Sequence, residues 1–177
     1  TLMASSMMAQ MHGAMTFAGA SSVNVLTQNT GNACDTVRFE MASMSAGNIT
    51  LPVMQGMAAI PSFTIENVAF SKGENHVISI AEQTFTSKVT VNGEEKNIEG
   101  SSISGSYNMA DNSLTLKAVF KYGSMPFDLT YEVKAYYVKP VASAITVNVG
   151  GTFIYGNDGV TYNVRKYIDG DAEKVDV

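Results

Sequence analysis

Apolar and polar residues alternate with period two along much of this chain. Leu114, Leu116, Ala118, Phe120 and Tyr122 share one side of a run whose other side carries Thr115, Lys117 and Lys121, with Val119 the exception. Leu129, Tyr131, Val133, Ala135 and Tyr137 alternate with Thr130, Glu132, Lys134 and Tyr136. The same rhythm sets Val37, Phe39 and Met41 against Thr36, Arg38 and Glu40, and Phe85, Val89 and Val91 against Thr86, Lys88 and Thr90. Successive side chains of a strand point to opposite faces. Each run therefore predicts a strand with one buried and one wet face, as in antiparallel sheet.

The breaks between runs carry turn chemistry. Val91-Asn92-Gly93-Glu94 holds Asn-Gly, suited to a two-residue hairpin in which both central residues need positive φ. Ala110-Asp111-Asn112-Ser113, Tyr122-Gly123-Ser124-Met125-Pro126, Asn157-Asp158-Gly159 and Asp169-Gly170-Asp171 separate other runs. Pro52, Pro61, Pro126 and Pro140 sit near predicted strand ends. About nine or ten strands follow, at the spacing of a sandwich or barrel. Only Met3 to Met15 could carry a helical stripe.

Composition narrows the class. The 177 residues are 45% hydrophobic and 15% charged, with a net charge of −5. Ser, Thr, Asn and Gly stand where charge is missing, which suits strands and turns. An acidic balance argues against nucleic acid and against an anionic membrane surface. The single Cys34 allows no internal disulfide and no Cys-based zinc site. No apolar run is long enough for a transmembrane helix. Residues 1–15 are Met-rich and read as a signal remnant or an ordered extension. Thr16-Phe17 is echoed by Thr152-Phe153, each followed by a glycine and then a charged alternating strand. Residues 141–177 thus read as a β extension, or as the opening strands of a second similar unit after a barrel over 16–140.

The strand-and-turn order resembles a known family. Phe39-Glu40-Met41-Ala42-Ser43-Met44-Ser45-Ala46-Gly47-Asn48-Ile49-Thr50-Leu51-Pro52 opens the pattern. Ile60 to Val68, Gly100 to Tyr107, Thr115 to Phe120 and Phe127 to Tyr131 continue it. Over residues 16 to 138 this resembles the calycin-like (lipocalin-like) β-barrel proteins secreted by Bacteroidetes. Residues Gly159 to Gly170 are similar to the opening strands of such a domain. The resemblance implies an all-β, antiparallel, up-and-down barrel, an extracytoplasmic location and a ligand-binding role. It supplies no functional residues to carry over.

Catalytic and metal signals are weak. His12 and His76 lack neighbours at metal-ligand spacing, and Ser104-Gly105-Ser106 is not a nucleophile elbow. His76 reads as a solvated turn residue, and Cys34 as a loop residue that nothing marks as reactive. Asp169, Asp171 and Glu173 could touch calcium, but their order departs from an EF-hand and fits a charged hairpin. No enzyme activity, cofactor or metal is expected. There are 11 methionines, crowded into the first third, where Met3, Met7, Met8, Met11, Met15, Met41, Met44, Met54 and Met57 fall. Methionine suits adaptable apolar surfaces, whether ligand lining or core filling. Phe85, Phe120, Tyr131, Tyr137, Met41 and Met54 are the candidate pocket residues, and a filled core would use the same list.

Three functions follow as expectations. The first is an exported barrel that binds a small hydrophobic ligand. The second is a structural or adhesive surface module that pairs with a protein partner or a second copy through an open sheet edge. The third is a barrel spanning the outer membrane, which alternation alone does not exclude, although the turns are short at both ends and no aromatic girdles mark the strand ends.

Overall fold

The computed structural model describes residues 13–56, 59–139, 145–147, 153–156, 161–163, 165–169 and 172–176. The chain divides into two compact units, Thr1–Val138 and Lys139–Val177. Met3, Met7, Met8, Met11, His12, Met57, Pro140, Thr152, Asn157, Asp158, Gly159, Gly170 and Asp171, named above, lie outside the described residues.

The first unit is a nine-stranded antiparallel sheet curled into a nearly closed barrel. Its strands are β1 (Ala14–Val25), β2 (Gln28–Met41), β3 (Ala46–Leu51), β4 (Phe63–Ala69), β5 (Ser71–Lys72), β6 (Val77–Val91), β7 (Glu94–Asn108), β8 (Ser113–Tyr122) and β9 (Leu129–Tyr137). The order is β4-β3-β2-β1-β9-β8-β7-β6-β5. Every adjacent pair is an up-and-down hairpin except β1–β9, which joins the two ends of the barrel chain from Phe17↔Tyr137 to Val25↔Leu129. Met15 lies in β1, so the end of the stripe considered for a helix is strand. Cys34, read as a loop residue, is an exposed residue of β2.

The alternation explains the wall. Leu114, Leu116, Ala118 and Phe120 of β8 are buried, as are Leu129, Tyr131, Val133 and Ala135 of β9. Between them Thr115, Lys117, Lys121, Glu132 and Lys134 are exposed. Lys117 and Glu132 are directly paired across the ladder and meet at 3.1 Å. An exposed pair of this kind contributes only about 0–1 kcal/mol, so burial holds the wall. The β6–β7 hairpin turns on Asn92 at φ 53° and Gly93 at φ 82°, as the Asn-Gly pair requires. At the β7–β8 turn Asp111 accepts hydrogen bonds from the Ser113 hydroxyl (2.6 Å) and amide (3.0 Å). These bonds hold its carboxyl below the usual carboxylate range.

Four bulges interrupt the pattern. In β2 an extra residue lies between Asn32 and Asp35, opposite Gly19 and Ser21. In β4 one lies between Ile65 and Val68, with Asn67 left-handed at φ 55°. In β6 one lies between Ile80 and Gln83. In β7 one lies between Gly100 and Ile103. A bulge bends its strand and re-aims a side chain.

In the second unit β10 (Ile145–Val147), β11 (Phe153–Gly156) and β12 (Thr161–Asn163) form a three-stranded antiparallel sheet. The strands β13 (Arg165–Asp169) and β14 (Ala172–Asp176) form a hairpin in which Asp169 pairs with Ala172.

Candidate functional site

The barrel interior is the concave surface of this fold, and it is packed. Phe120 is fully buried and meets Phe63 edge-on at 5.3 Å between ring centroids, and Phe85 at 6.3 Å. Aromatic pairs prefer this geometry, with positive ring edge on negative face. Tyr131 and Met54 are also buried, while Met41 and Tyr137 are partly buried against the core. The structure thus brings Phe85 and Phe120 together. Tyr137 instead packs on Phe17, at 5.9 Å. Met54 lies on the β3–β4 connection, where its backbone pairs with Ile60.

An apolar recess of about 30 Å³ lies inside, lined among others by Met15, Phe17, Phe39, Phe70, Ile78 and Tyr107. None of the six candidate pocket residues lines it. Its walls belong to the end of the barrel where β1 begins, because Met15 pairs with Phe39. A space of this size holds a water molecule or two, and an apolar lining leaves it dry. Phe39 is half-buried, lies against Gly47 and meets Phe70 edge-on at 5.8 Å. Of the methionines singled out, Met15 lines the recess and Met44 is exposed.

A polar cluster sits elsewhere in the interior. Asp35 and Ser21 are buried, and Tyr131 is fully so. Asp35 accepts hydrogen bonds from the Ser21 hydroxyl (2.5 Å), the Asn32 amide (3.1 Å) and the Tyr131 hydroxyl (3.3 Å). Across the β2 bulge the Asn32 side-chain amide reaches the Asp35 carboxylate. No cation is among these partners, so three donors carry the burial of the carboxylate. Burial, and then the negative charge of Asp35, push the Tyr131 phenol well above its ordinary value. Sequence reasoning placed Tyr131 inside but missed Ser21 and Asp35. Ser21 shares a face of β1 with Phe17 and Val23, and Asp35 a face of β2 with Val37, but both are polar residues and so carried no apolar signal.

A pH prediction follows from this cluster. Unfolded tyrosine ionises near pH 10. Folded Tyr131 holds its proton to higher pH, so its contribution is full below about pH 10 and is lost as pH rises toward the folded value. The urea midpoint of the wild type is expected to fall above about pH 10 more steeply than that of Tyr131→Phe. At neutral pH Tyr131→Phe costs about 1 kcal/mol, one hydrogen bond. Parallel pH profiles for the two proteins would remove Tyr131 from the account.

The outer wall is polar on every strand with clear alternation. Thr36, Arg38 and Glu40 of β2 are exposed, as are Thr84, Thr86, Lys88 and Thr90 of β6. A barrel that spans a bilayer carries an outward apolar band about 25 Å tall. These strands present charge there instead, which argues against the membrane-spanning expectation. Among the described residues no helix is long and apolar enough to cross a membrane.

No protein-family model matches this sequence, and no curated protein matches it. Among solved structures, one named "putative outer membrane protein", from Bacteroides fragilis, is similar, with a TM-score of 0.55 at 20% identity. The similarity covers 72% of this chain and 51% of that one, so this chain spans about half that protein's length. The likeness supports the barrel fold.

Proposed function

We propose that this chain is an exported, non-enzymatic, calycin-like barrel that binds a slender apolar ligand at the recess behind Phe39. One observation carries the reading: a recess walled by Met15, Phe17, Phe39, Phe70, Ile78 and Tyr107 at one end of an otherwise packed barrel. Such a lining offers a ligand dispersion and desolvation, and no anchor for a charge. A linear aliphatic chain therefore fits it best, with any polar head left outside. Export draws support from the name of the Bacteroides fragilis protein and from the family resemblance. The non-enzymatic reading draws support from Asp35, whose carboxylate is occupied by internal donors.

Dansyl-undecanoic acid is expected to brighten on binding the wild type, and native mass spectrometry to show one bound molecule. Phe39→Glu places a charge at the recess and is expected to weaken binding at least about tenfold, roughly 1.4 kcal/mol. Phe39 is half-buried, so the barrel should still fold. Equal affinity in the two proteins would place the probe elsewhere, and an absence of binding would end the ligand reading.

A surface module joined through a sheet edge is the second reading. It draws on β4 and β6, which face each other without a backbone ladder. Side chains of β6 cap β4 there, which counts against strand addition. Sedimentation velocity separates the readings, since a module of this kind associates as concentration rises.

A further inference from the structure

The 30 Å³ recess poses a problem of access, because it is smaller than any ligand proposed for it. Something in the wall has to yield. The ladders from β4 through β1 and β9 to β6 are backbone-paired throughout. Opening any of them breaks several hydrogen bonds at once. Between β4 and β6 the order of the sheet shows no ladder among the described residues, and only beyond Phe70 does the two-residue β5 pair with β6.

Side chains close this seam. Gln83 of β6 accepts from the Ala69 amide at 2.8 Å and donates to the Ala69 carbonyl at 2.9 Å. Its side-chain amide stands in for the peptide group of a missing strand residue. Further along, the Ser87 hydroxyl donates to the Thr64 carbonyl at 2.7 Å. Bulges in both strands explain why no ladder forms. The extra residue of β4 lies between Ile65 and Val68, and that of β6 between Ile80 and Gln83. Beyond Ser87 the strands border a solvent-open groove lined by Ser62, Phe63, Thr64, Lys88 and Thr90. Behind the seam lie buried Phe63, Ile65, Val68, Phe85 and Val89. Phe70, which precedes β5, and Ile78 and Ile80 of β6 line the recess, so parting of β4 from β6 as far as the β5–β6 ladder opens toward it.

We propose that the β4–β6 seam is a lateral gate: the wall parts at Gln83 and Ser87 and admits an apolar chain to the recess. The gate rests on the ligand reading above for its cargo, but its motion can be measured without a ligand. Opening at Gln83 and Ser87 sacrifices side-chain bonds, with the two-residue β5–β6 ladder (Ser71↔Ser79, Lys72↔Ile78) as the hinge at its recess end. Local openings of this kind precede global unfolding.

The test uses thiol labelling in a Cys34→Ser background, since Cys34 is exposed. Ile65→Cys sits behind the seam, and Ala118→Cys sits behind the continuous β7–β8–β9 wall; both positions are fully buried. Ile65→Cys is expected to react with a maleimide about tenfold faster than Ala118→Cys. Adding Gln83→Ala should raise the first rate severalfold and leave the second unchanged. Ser87→Ala supplies a second loosening variant if Gln83→Ala folds poorly. Equal labelling rates at the two positions, or rates that neither seam variant moves, overturn the gate. Dansyl-undecanoic acid then tests entry: its association rate should rise in Gln83→Ala in step with labelling. If the probe binds at an unchanged rate, the seam is not the route. If the probe does not bind the wild type at all, the ligand reading fails and the thiol rates alone judge the gate.

Discussion

Gly19→Ala is expected to cost about 3 kcal/mol or more, the upper end of overpacking effects. A Cβ added to Gly19 would lie 2.1 Å from the Lys134 carbonyl oxygen and 2.5 Å from the Ala135 Cα. Both atoms are β9 backbone, which cannot swing aside as a side chain can. Relief comes only by prying β1 from β9, the pair that closes the barrel on that side. Against a typical stability of about 5–15 kcal/mol, that is a large share. Urea unfolding of Gly19→Ala beside Gly31→Ala gives the measurement. A Cβ at Gly31 meets nothing nearer than the Ser21 carbonyl oxygen at 3.9 Å. The control is expected to stay within about 0.5 kcal/mol. If both variants unfold alike, the close approach at Gly19 has no energetic weight.

Phe120→Ala is expected to cost about 3–5 kcal/mol, as large-to-small changes at buried aromatics do. Phe120 is fully buried and joins Phe63 of β4 to Phe85 of β6 through its ring. Its removal loses the transfer energy of the ring and leaves a cavity that a backbone-paired wall fills only in part. The same substitution separates packing from ligand lining. If Phe120 is core, the variant loses stability and dansyl-undecanoic acid affinity stays within about twofold once the protein is folded. If Phe120 lines the working site, affinity changes more than stability. Calorimetric or urea unfolding, paired with the fluorescence titration, reads both quantities.

The strands with unbroken alternation were legible in the sequence. The runs Leu114–Tyr122 and Leu129–Tyr137 point inward and outward as expected. The Asn92-Gly93 turn was legible because its residues tolerate the φ values it needs. The bulges were not, since one extra residue inverts the face of everything after it. That is how Gln83 came to bridge to β4. The Leu26-Thr27 turn was also hidden, because leucine is a poor choice for φ 54°, which Leu26 adopts with its side chain exposed. Tyr131, Phe85 and Phe120 were rightly placed inside, but alternation gives a residue's face and not its height in the barrel. The recess therefore fell to other residues: Met15, Phe39 and Phe70 come from three separate segments.

The β1–β9 ladder also dictates a timetable. It pairs Phe17 with Tyr137, residues at opposite ends of the barrel chain. While the chain is being made, β1 can gain β2 early, but its other edge waits until β9 has emerged. Such distant pairings carry a loop-closure cost before they are repaid, and they place β-rich domains among slow folders. Closure of this ladder is thus the expected late event in folding. Until it happens β1 is an open edge, exposed to pairing with the wrong chain.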